Sequence, residues 1–437
     1  MSWLERYRIR LYFRNSIWIW PALSIVAALV SVALLTRFER AMSWRMNISA
    51  ETARIILSMV AASTFTLVVL VSSAVLVAVQ LASAQLTPRI IGLVYRNRYR
   101  KLALALFVFT FTFSVGVLVR IEEGTVPLLS GYLAAYGFLL NLALFILFMD
   151  GMGKTLRPSS AVRVVALAGR EVIESVYPSR LKEDFIPPEP IEIIGDQRPR
   201  IVPNMIDGAV LAFDLKGLVS LGERSNCLIE LVPEVGDFIA VGDPLFRIYQ
   251  GGDDLTDVEL QNVVAMGQER TLEQDPMFAF RIIVDIASKA LSPAINDPTT
   301  AVLAIDQIHH LLRDVGKRYL GEGEEKDGAG RVCLIYRTPN WEDFVLLGIT
   351  EIRHYGRDSI QVQRRLRAML ENLIATLPKR RHPVLSKELT LLTTSSKRVF
   401  PDLDDQVLAD SGDLQGIGGS YDEIYEQNHE ARASAGN

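Results

Sequence analysis

Residues 55–88 read IILSMVAASTFTLVVLVSSAVLVAVQLASAQLTP, a run of 34 residues without a formal charge. The hydrocarbon core of a bilayer is about 30 Å thick, and roughly 20 apolar residues of α-helix cross it. Because the run exceeds this minimum, we predict a membrane span that tilts or continues as helix beyond the hydrocarbon.

Three further uncharged stretches have the length of a membrane span: residues 16–36, 102–119 and 124–149. The first also resembles a secretory signal, but three spans follow it and no small-residue cleavage site comes after it. The sequence therefore predicts an α-helical membrane protein with a four-span transmembrane domain over residues 1–155.

The charges of the chain divide at about residue 150. The first 150 residues carry 14 Lys and Arg against 6 Asp and Glu, a net of +8, whereas the remaining 287 carry a net of −12. A basic, apolar N-terminal part followed by an acidic C-terminal part excludes a single soluble domain, a disordered chain and a nucleic-acid-binding protein with a basic main domain. We therefore expect the lipid bilayer, and no nucleic acid, as a partner.

Basic residues are unevenly distributed between the two predicted sides of the bilayer. The N-terminal tail, the loop between the second and third spans and the segment after the fourth span carry 13 Lys and Arg, against five on the other side. Cytoplasmic loops are enriched in Lys and Arg, so both termini are predicted to be cytoplasmic. Cys227 and Cys333 then lie in the cytoplasmic part, and neither has a CxxC partner, which fits a reducing compartment.

The second span carries polar residues at a spacing of seven: Thr66, Ser73, Gln80 and Thr87. This spacing keeps them near one helix face, with a drift of about 20° per heptad. One interpretation is helix–helix packing through inter-helix hydrogen bonds. The other is that the face lines a water-filled path in an oligomer, because amides such as Gln80 are costly against lipid tails.

The chain after the last span is predicted to be α+β and modular. Residues 156–199 form a helix and a Pro-rich linker, and residues 200–250, with short apolar runs between Gly-rich turns, form a small β-barrel module. Residues 253–391 form a cytoplasmic helical domain. Residues 398–437 are rich in Asp, Gly and Ser, and we predict a disordered acidic tail.

Within the β module, residues 235–248 (VGDFIAVGDPLFRI) resemble the hammerhead segment of biotinyl/lipoyl-type barrels, because Gly-Asp turns separate short strands. A carrier domain of that kind needs a modifiable lysine at a hairpin tip. Lys216 is the single candidate, and its flanking residues do not match. The module is therefore interpreted as a structural barrel.

Two dipeptides in the helical domain predict helix starts, since an N-cap residue precedes Pro at Asp275-Pro276 and Asp297-Pro298. Around them lie the runs GQERTLEQDP (267–276), DIA (285–287) and ALSPAINDPTTA (290–301). Together with the four spans and the run QLTPR (85–89) at the end of the second span, these runs resemble the DUF2254 family, predicted bacterial membrane proteins of unknown function. The resemblance covers nearly the whole chain before residue 400 and implies no reaction.

Charged and polar residues of these runs form a candidate cytoplasmic cluster. Arg281, Asp285 and Lys289 lie at i, i+4 and i+8 on one predicted helix. Arginines beside carboxylates form either a structural ion network or an anion or phosphate pocket, and the stripe spacing and cap positions favour the network. The cluster comprises Arg270, Asp275, Arg281, Asp285, Ser292, Asn296 and Asp297.

No pattern indicates catalysis, a cofactor or a metal site. His309 and His310 are adjacent and diverge on a helix, and Gly153-Lys154-Thr155 lacks the earlier glycine of a P-loop because Phe148 stands there. Without a nucleophile–base pair, we predict no enzymatic activity, no cofactor and no metal.

Arginines cluster again near the end of the helical domain, at Arg353, Arg357, Arg364, Arg365, Arg367 and the run Lys379-Arg380-Arg381-His382. Because the surrounding domain is acidic, we predict a solvated or lipid-headgroup-facing surface and no nucleic-acid site.

Two hypotheses for function follow. The first is a homo-oligomeric, channel-like protein of the bacterial inner membrane, which passes ions or small solutes along the second span. The second is a membrane-anchored sensor or scaffold, whose helical domain binds a ligand or protein partner through the Asp285/Asn296 region.

Overall fold

The computed structural model describes residues 1–42, 48–92, 98–122, 127–155, 157–181, 198–321 and 323–419. They divide into two compact units, one formed by Ile9–Ala161 and the other by Met1–Arg8 together with Val162–Asn437. Most of the predicted Pro-rich linker and the end of the predicted tail, residues 182–197 and 420–437, lie outside the described residues.

The first unit contains the predicted spans. Its helices are the end of α1 (Trp3–Asn15, of which residues 3–8 belong to the other unit), α2 (Ile19–Met42), α3 (Ala50–Gln85), α4 (Arg98–Leu118) and α5 (Leu128–Thr155), with a 3-10 turn at Pro88–Ile90. Four of them, α2 to α5, are long and apolar enough to cross a membrane, which confirms the four apolar helices expected from the sequence. Each helix extends beyond its uncharged stretch at one end, where charged residues continue the helical hydrogen bonding, and stops one to four residues short of it at the other end.

Helix α3 has 36 residues, which corresponds to about 54 Å at 1.5 Å per residue. It begins at a capped end, where the Ser49 hydroxyl accepts a hydrogen bond from the amide of Thr52 at 3.1 Å. The helix is therefore longer than the hydrocarbon thickness, as its uncharged run predicts.

Small and aromatic side chains pack the interior of this unit. One cluster joins Val32 of α2, Leu57 of α3 and Phe113 of α4, and a second joins Val71, Phe107 and other residues of α3, α4 and α5. Helices α2 and α4 approach closely at Gly116, where a Cβ would lie 3.0 Å from a methyl of Val32. Close backbone approach through small residues is the usual mode of helix association in membranes.

Polar groups at the ends of the helices are bonded within the same unit. The Arg54 guanidinium donates to the carbonyl of Ile121 at 2.9 Å, and the Arg120 guanidinium donates to the Thr36 hydroxyl at 3.2 Å. These charges, which the sequence places in loops on one side of the bilayer, therefore join neighbouring helix ends.

The described residues of the second unit form two sheets. The first has the order β1 (Arg200–Pro203), β5 (Pro244–Tyr249), β3 (Leu228–Leu231), β8 (Val332–Tyr336) and β7 (Glu324–Lys326). Only the β3–β8 pair is parallel, with Ile229 opposite Leu334. The second sheet has the antiparallel order β4 (Phe238–Ile239), β2 (Gly208–Phe213) and β6 (Val264–Gly267).

The strands predicted within residues 200–250 are present, but the barrel is not confirmed. Among the described residues the strands form two open sheets and no closed barrel. The larger sheet also recruits β7 and β8, which come from the segment predicted to be helical. These short strands contact residues distant in sequence, so local patterns do not specify their pairing.

The helices of this unit pack around an apolar core. They are α6 (Pro158–Val176), α7 (Leu215–Arg224), α8 (Asp257–Gln261), α9 (Pro276–Ala290), α10 (Pro298–Gly316), α11 (Trp341–Tyr355), α12 (Ile360–Thr376), α13 (His382–Val399) and α14 (Leu403–Ala409), with a 3-10 turn at Lys379–Arg381. Phe280 of α9 and Phe344 of α11 meet at the centre, with ring centroids 5.3 Å apart. Gly169 brings α6 against α9, since a Cβ there would lie 2.5 Å from that of Ala279.

Both predicted helix starts are confirmed. The Asp275 carboxylate accepts a hydrogen bond from the amide of Phe278 at 2.9 Å, and that of Asp297 accepts from the amide of Thr300 at 3.0 Å. In each case Pro is the first helical residue, where its missing N–H leaves no hydrogen bond unmade.

The first part of the predicted disordered tail is folded, so that prediction is wrong for residues 400–419. Helix α14 lies in it, and the fully buried Asp413 carboxylate accepts hydrogen bonds from the amides of Gln415, Gly416 and Gly418 at 2.7–2.9 Å. Acidic composition indicates disorder only when the carboxylates lack such local partners.

The same segment corrects the prediction of a basic surface. Arg364 is only 2% exposed, and its guanidinium donates to the carbonyls of Ser411, Gly418 and Gly419 at 3.1–3.4 Å. Arg365 and Arg367 are also buried; they bond to the carboxylates of Asp306 at 2.6 Å and Asp410 at 2.7 Å. These three arginines hold elements of the second unit together instead of facing solvent or lipid headgroups.

Candidate functional site

The predicted polar face of the second span lies on the surface of α3. Thr66, Ser73 and Gln80 are all exposed in the monomer. The Thr66 hydroxyl donates to the carbonyl of Ala62 at 3.0 Å, which satisfies it within the helix. Gln80 is therefore the costliest of the three to place against lipid.

Thr87 does not belong to this face, which corrects its assignment as a candidate pore-lining residue. Helix α3 ends at Gln85, and the side chain of Thr87 is buried. It caps the 3-10 turn that follows, because its hydroxyl accepts a hydrogen bond from the amide of Arg89 at 3.4 Å.

Arg270 and Asp275 of the signature runs form an ion pair at the start of α9. The Arg270 Nε donates to Asp275 Oδ2 at 2.7 Å, and the Asp275 side chain is only 3% exposed. Gly236 makes room for the guanidinium, since a Cβ there would lie 2.2–2.7 Å from its atoms. Burial raises the pKa of Asp275, whereas the Arg270 charge lowers it.

Arg281 and Asp285 belong to a separate ion network. The Arg281 guanidinium donates to both carboxylate oxygens of Glu351 on α11, at 2.5 and 2.8 Å, and its Nε donates to Asp285 at 2.7 Å. Hydrogen bonding to Glu351 raises the pKa of Arg281 and lowers that of Glu351. This bidentate arrangement joins α9 to α11. The charged stripe of Arg281 and Asp285 therefore has a structural role.

The remaining cluster residues shape the turn between α9 and α10. The Ser292 hydroxyl donates to the carbonyl of Lys289 at 2.7 Å, Asn296 adopts a left-handed φ of 46°, and Asp297 caps α10. Asparagine tolerates this conformation better than most residues. The cluster thus separates into an ion pair, an ion network and a turn.

A cavity of about 160 Å³ lies within the second unit, next to the Arg270–Asp275 pair. Its wall combines the ends of α6, β2 and β8, the starts of α7 and α9, the loop after β3 and the segment after β8. Its lining includes Tyr177, Phe213, Glu234, Gln274, Asp275, Tyr336, Arg337 and Thr338.

Hydrogen bonds fix several of these side chains. The hydroxyls of Tyr177 and Thr338 lie 3.0 Å apart and share a hydrogen bond. The Gln274 amide pairs with the backbone of Phe213, accepting from its N–H at 3.0 Å and donating to its carbonyl at 3.1 Å. The cavity wall is therefore preorganised on this side.

Glu234 supplies a carboxylate whose pKa is strongly shifted. Burial and the nearby negative charge of Asp237 raise the pKa of Glu234 to about 7, and Arg337 opposes this increase. Burial also raises the pKa of Tyr336 to about 12, and it raises the pKa of Tyr177. A concave site with convergent polar groups and a shifted carboxyl pKa is the usual form of a binding site.

Of the residues predicted for the cytoplasmic cluster, only Asp275 lines this cavity. Glu234, Tyr177 and Tyr336 lie outside the signature runs and were missed. Of the signature runs, the one that contributes to the cavity is 267–276, whose last three residues, Gln274, Asp275 and Pro276, line it.

Comparisons with known proteins agree with the architecture. A family model described as "Predicted membrane protein (DUF2254)" matches residues 14–372. "Uncharacterized protein Rv1290c" of Mycobacterium tuberculosis and "Uncharacterized protein Mb1321c" of Mycobacterium bovis are each 26% identical to the chain over 424 residues, covering 91% of this chain and 79% of the relative. No solved structure gives a significant match.

Proposed function

The chain belongs to the DUF2254 family of predicted membrane proteins, and on that premise we propose that it is a membrane-anchored sensor that binds a small ligand. The ligand site is the cavity beside the Arg270–Asp275 pair. The observation that carries this proposal is the convergence of Gln274-Asp275-Pro276 with Glu234 and Tyr177 around one cavity.

The site has the features of a ligand pocket and lacks those of a catalytic centre. Phe213, Tyr336 and Pro276 supply apolar wall, whereas Glu234 and the Tyr177–Thr338 pair supply polar groups. Among the described residues that line it, there is no serine or cysteine within hydrogen-bonding distance of a histidine. Binding, and not covalent catalysis, is the function that this set supports.

Thermal unfolding of the detergent-solubilised full chain, screened against small neutral, anionic and cationic compounds, tests the proposal. At least one compound class should raise the midpoint of unfolding. Val176→Phe places a ring in the cavity wall and should abolish this stabilisation. Val164→Phe is the matched control, because Val164 lies on the same helix, is 48% exposed and does not line the cavity.

Two results would reject the sensor proposal. One is the failure of every compound class to stabilise the protein. The other is stabilisation that survives Val176→Phe as well as it survives Val164→Phe, since the ligand would then bind elsewhere.

We propose as a second function that copies of the chain assemble in the bacterial inner membrane, with both termini cytoplasmic, and conduct ions or small solutes along α3. Support comes from the exposure of Thr66, Ser73 and Gln80 on the surface of this helix. Assembly would remove these polar groups from lipid and face them toward water or a neighbouring copy.

Planar-bilayer recording of the purified protein tests this second function, with Thr66→Leu, Ser73→Leu and Gln80→Leu as variants. Each should lower the conductance, and Gln80→Leu most. Ser72→Leu is the control, since Ser72 is also exposed but lies about 100° from Ser73 around the helix. Absence of conductance, or equal conductance in all four variants, contradicts the proposal.

A further inference from the structure

The carboxylates around the cavity differ in how their charges are balanced. Asp275 pairs with Arg270 at 2.7 Å, and Asp237, just outside the cavity wall, lies 3.8 Å from a guanidinium nitrogen of Arg337. For the carboxylate of Glu234, in contrast, no described residue provides a hydrogen bond or an ion pair. Its bonds are made by the backbone: the amide donates to the Asp237 carboxylate at 2.9 Å and the carbonyl accepts from the Asp237 amide at 3.0 Å. Glu234 is therefore the one cavity carboxylate whose charge lacks a bonded counterpart among the described residues.

The charged groups facing Glu234 make this imbalance costly. Asp237, Asp275 and Asp343 place negative charge near it, whereas Arg337 is the one cation of the described residues that acts on it appreciably. The side chain of Arg337 is 67% exposed, so solvent weakens its effect. A positive charge placed in the cavity would relieve the repulsion and replace the water that the carboxylate loses on burial.

Aromatic rings form another part of the wall. The rings of Phe213 and Tyr336 lie 5.2 Å apart at an interplanar angle of 57°, and the Tyr177 ring lines the same cavity. The faces of aromatic rings attract cations, and rings combined with a carboxylate form the usual recognition site for ammonium groups. Neither an anion nor a purely apolar ligand would use both features.

The volume limits the size of the ligand. A cavity of about 150 Å³ accommodates benzene, so about 160 Å³ accommodates roughly six to eight non-hydrogen atoms. This size fits a small amine.

We propose that the ligand is a small organic cation, an amine or quaternary ammonium compound, whose positive group lies against Glu234 and the aromatic wall. This inference rests on the proposed sensor function and specifies its ligand class. Binding requires the ionised carboxylate, so the affinity depends on the protonation of Glu234, with Asp237, Asp275, Asp343 and Arg337 as its charged neighbours.

Calorimetric titration of the full chain in detergent at pH 8 tests the ligand class. The cationic probes are choline chloride and n-pentylammonium chloride. Their neutral counterparts of nearly equal shape are 3,3-dimethylbutan-1-ol and pentan-1-ol. At least one cation should bind at least tenfold more tightly than its counterpart, and Glu234→Gln should remove this difference. Glu171→Gln is the control, because Glu171 is exposed on α6 and does not line the cavity.

The pH dependence provides a second readout. With a Glu234 pKa of about 7, the ionised fraction falls about tenfold between pH 8 and pH 6, so the dissociation constant should rise about tenfold. Glu234→Gln should show no such change.

The outcomes separate this inference from the proposed function. If the neutral compounds or small carboxylates bind as tightly as the cations, the cation proposal is wrong and the sensor function stands. If cations bind equally to the Glu234→Gln variant, the proposal is also wrong. If no compound of any class binds, both fail.

Discussion

The carboxylate of Glu39, near the end of α2, holds the first turn of α5 through Ser130. It accepts hydrogen bonds from the Ser130 amide at 2.9 Å and from the Ser130 hydroxyl at 2.6 Å. Glu39 is only 2% exposed, so a buried acid here caps a membrane-length helix of another segment. Negative charge at a helix N-terminus is favourable because it compensates the unpaired N–H groups of the first turn.

Glu39→Leu should therefore destabilise the first unit by about 1–3 kcal/mol, because it leaves the Ser130 donors without an acceptor. Glu39→Gln keeps one acceptor oxygen and should lose less. The free energy of unfolding in mixed micelles measures both effects. Glu51→Leu is the control, since Glu51 is exposed; an equal loss in this variant would show that Glu39 has no special role.

Gly236 should tolerate alanine poorly because of Arg270. Both Gly236 and Gly242 have a positive φ, of 98° and 92°, so alanine costs about 1–2 kcal/mol of backbone strain at either position. Only at Gly236 would the new Cβ meet the guanidinium, which should add about 1–3 kcal/mol. Comparison of the thermal unfolding midpoints of Gly236→Ala and Gly242→Ala isolates the clash with Arg270. Equal midpoints would show that the clash has no cost.

The raised pKa of Glu234 determines the direction in which this residue changes stability with pH. A carboxyl whose folded-state pKa is raised retains its proton in the folded protein, so its ionisation weakens folding as pH rises from about 4.5 to about 7. Glu234→Gln should therefore be more stable than the parent at pH 8, and the two should be alike at pH 4. Midpoints of thermal unfolding across this range test the sign; a gain at pH 4 that disappears at pH 8 would reverse it.

Removal of residues 411–437 should destabilise the second unit, because the buried Arg364 guanidinium then loses its three carbonyl acceptors. The expected loss is at least about 2 kcal/mol, because the hydrogen bonds of a charged group are lost. Removal of residues 420–437 leaves every contact described above in place and is the control. Arg364→Met in the shorter chain should restore part of the stability, and failure to do so would argue against the charge as the cause.

The sequence predicts most of the local structure. Uncharged runs predict α2 to α5, and Asp-Pro pairs predict the starts of α9 and α10. These signals are strong because lipid excludes charge and because an N-cap acts within one helical turn. The boundaries differ, as at Met42, where the helix continues through Arg37, Glu39 and Arg40.

The candidate site is only partly predictable. Asp275 is recognisable from its signature run, but Glu234 and Tyr177 come from segments with no distinctive pattern. The i, i+4 spacing of Arg281 and Asp285 predicts a charged stripe on one helix. In the structure, Arg281 also bonds to Glu351, which lies 70 residues further along the chain. Charge spacing along one helix does not reveal which partner lies across from it.

Local sequence signals predict the four membrane-length apolar helices, the division of charge near residue 150 and the helix starts at Asp275-Pro276 and Asp297-Pro298. These depend on composition and on neighbours within a turn of helix. Three other features follow only from the three-dimensional fold: Arg364 is buried, Thr87 lies off the polar face of α3, and Glu234 shares a cavity with Asp275. Such outcomes depend on contacts between segments far apart in the chain, where burial and the choice of partner, and not residue type, set the energy of each charge.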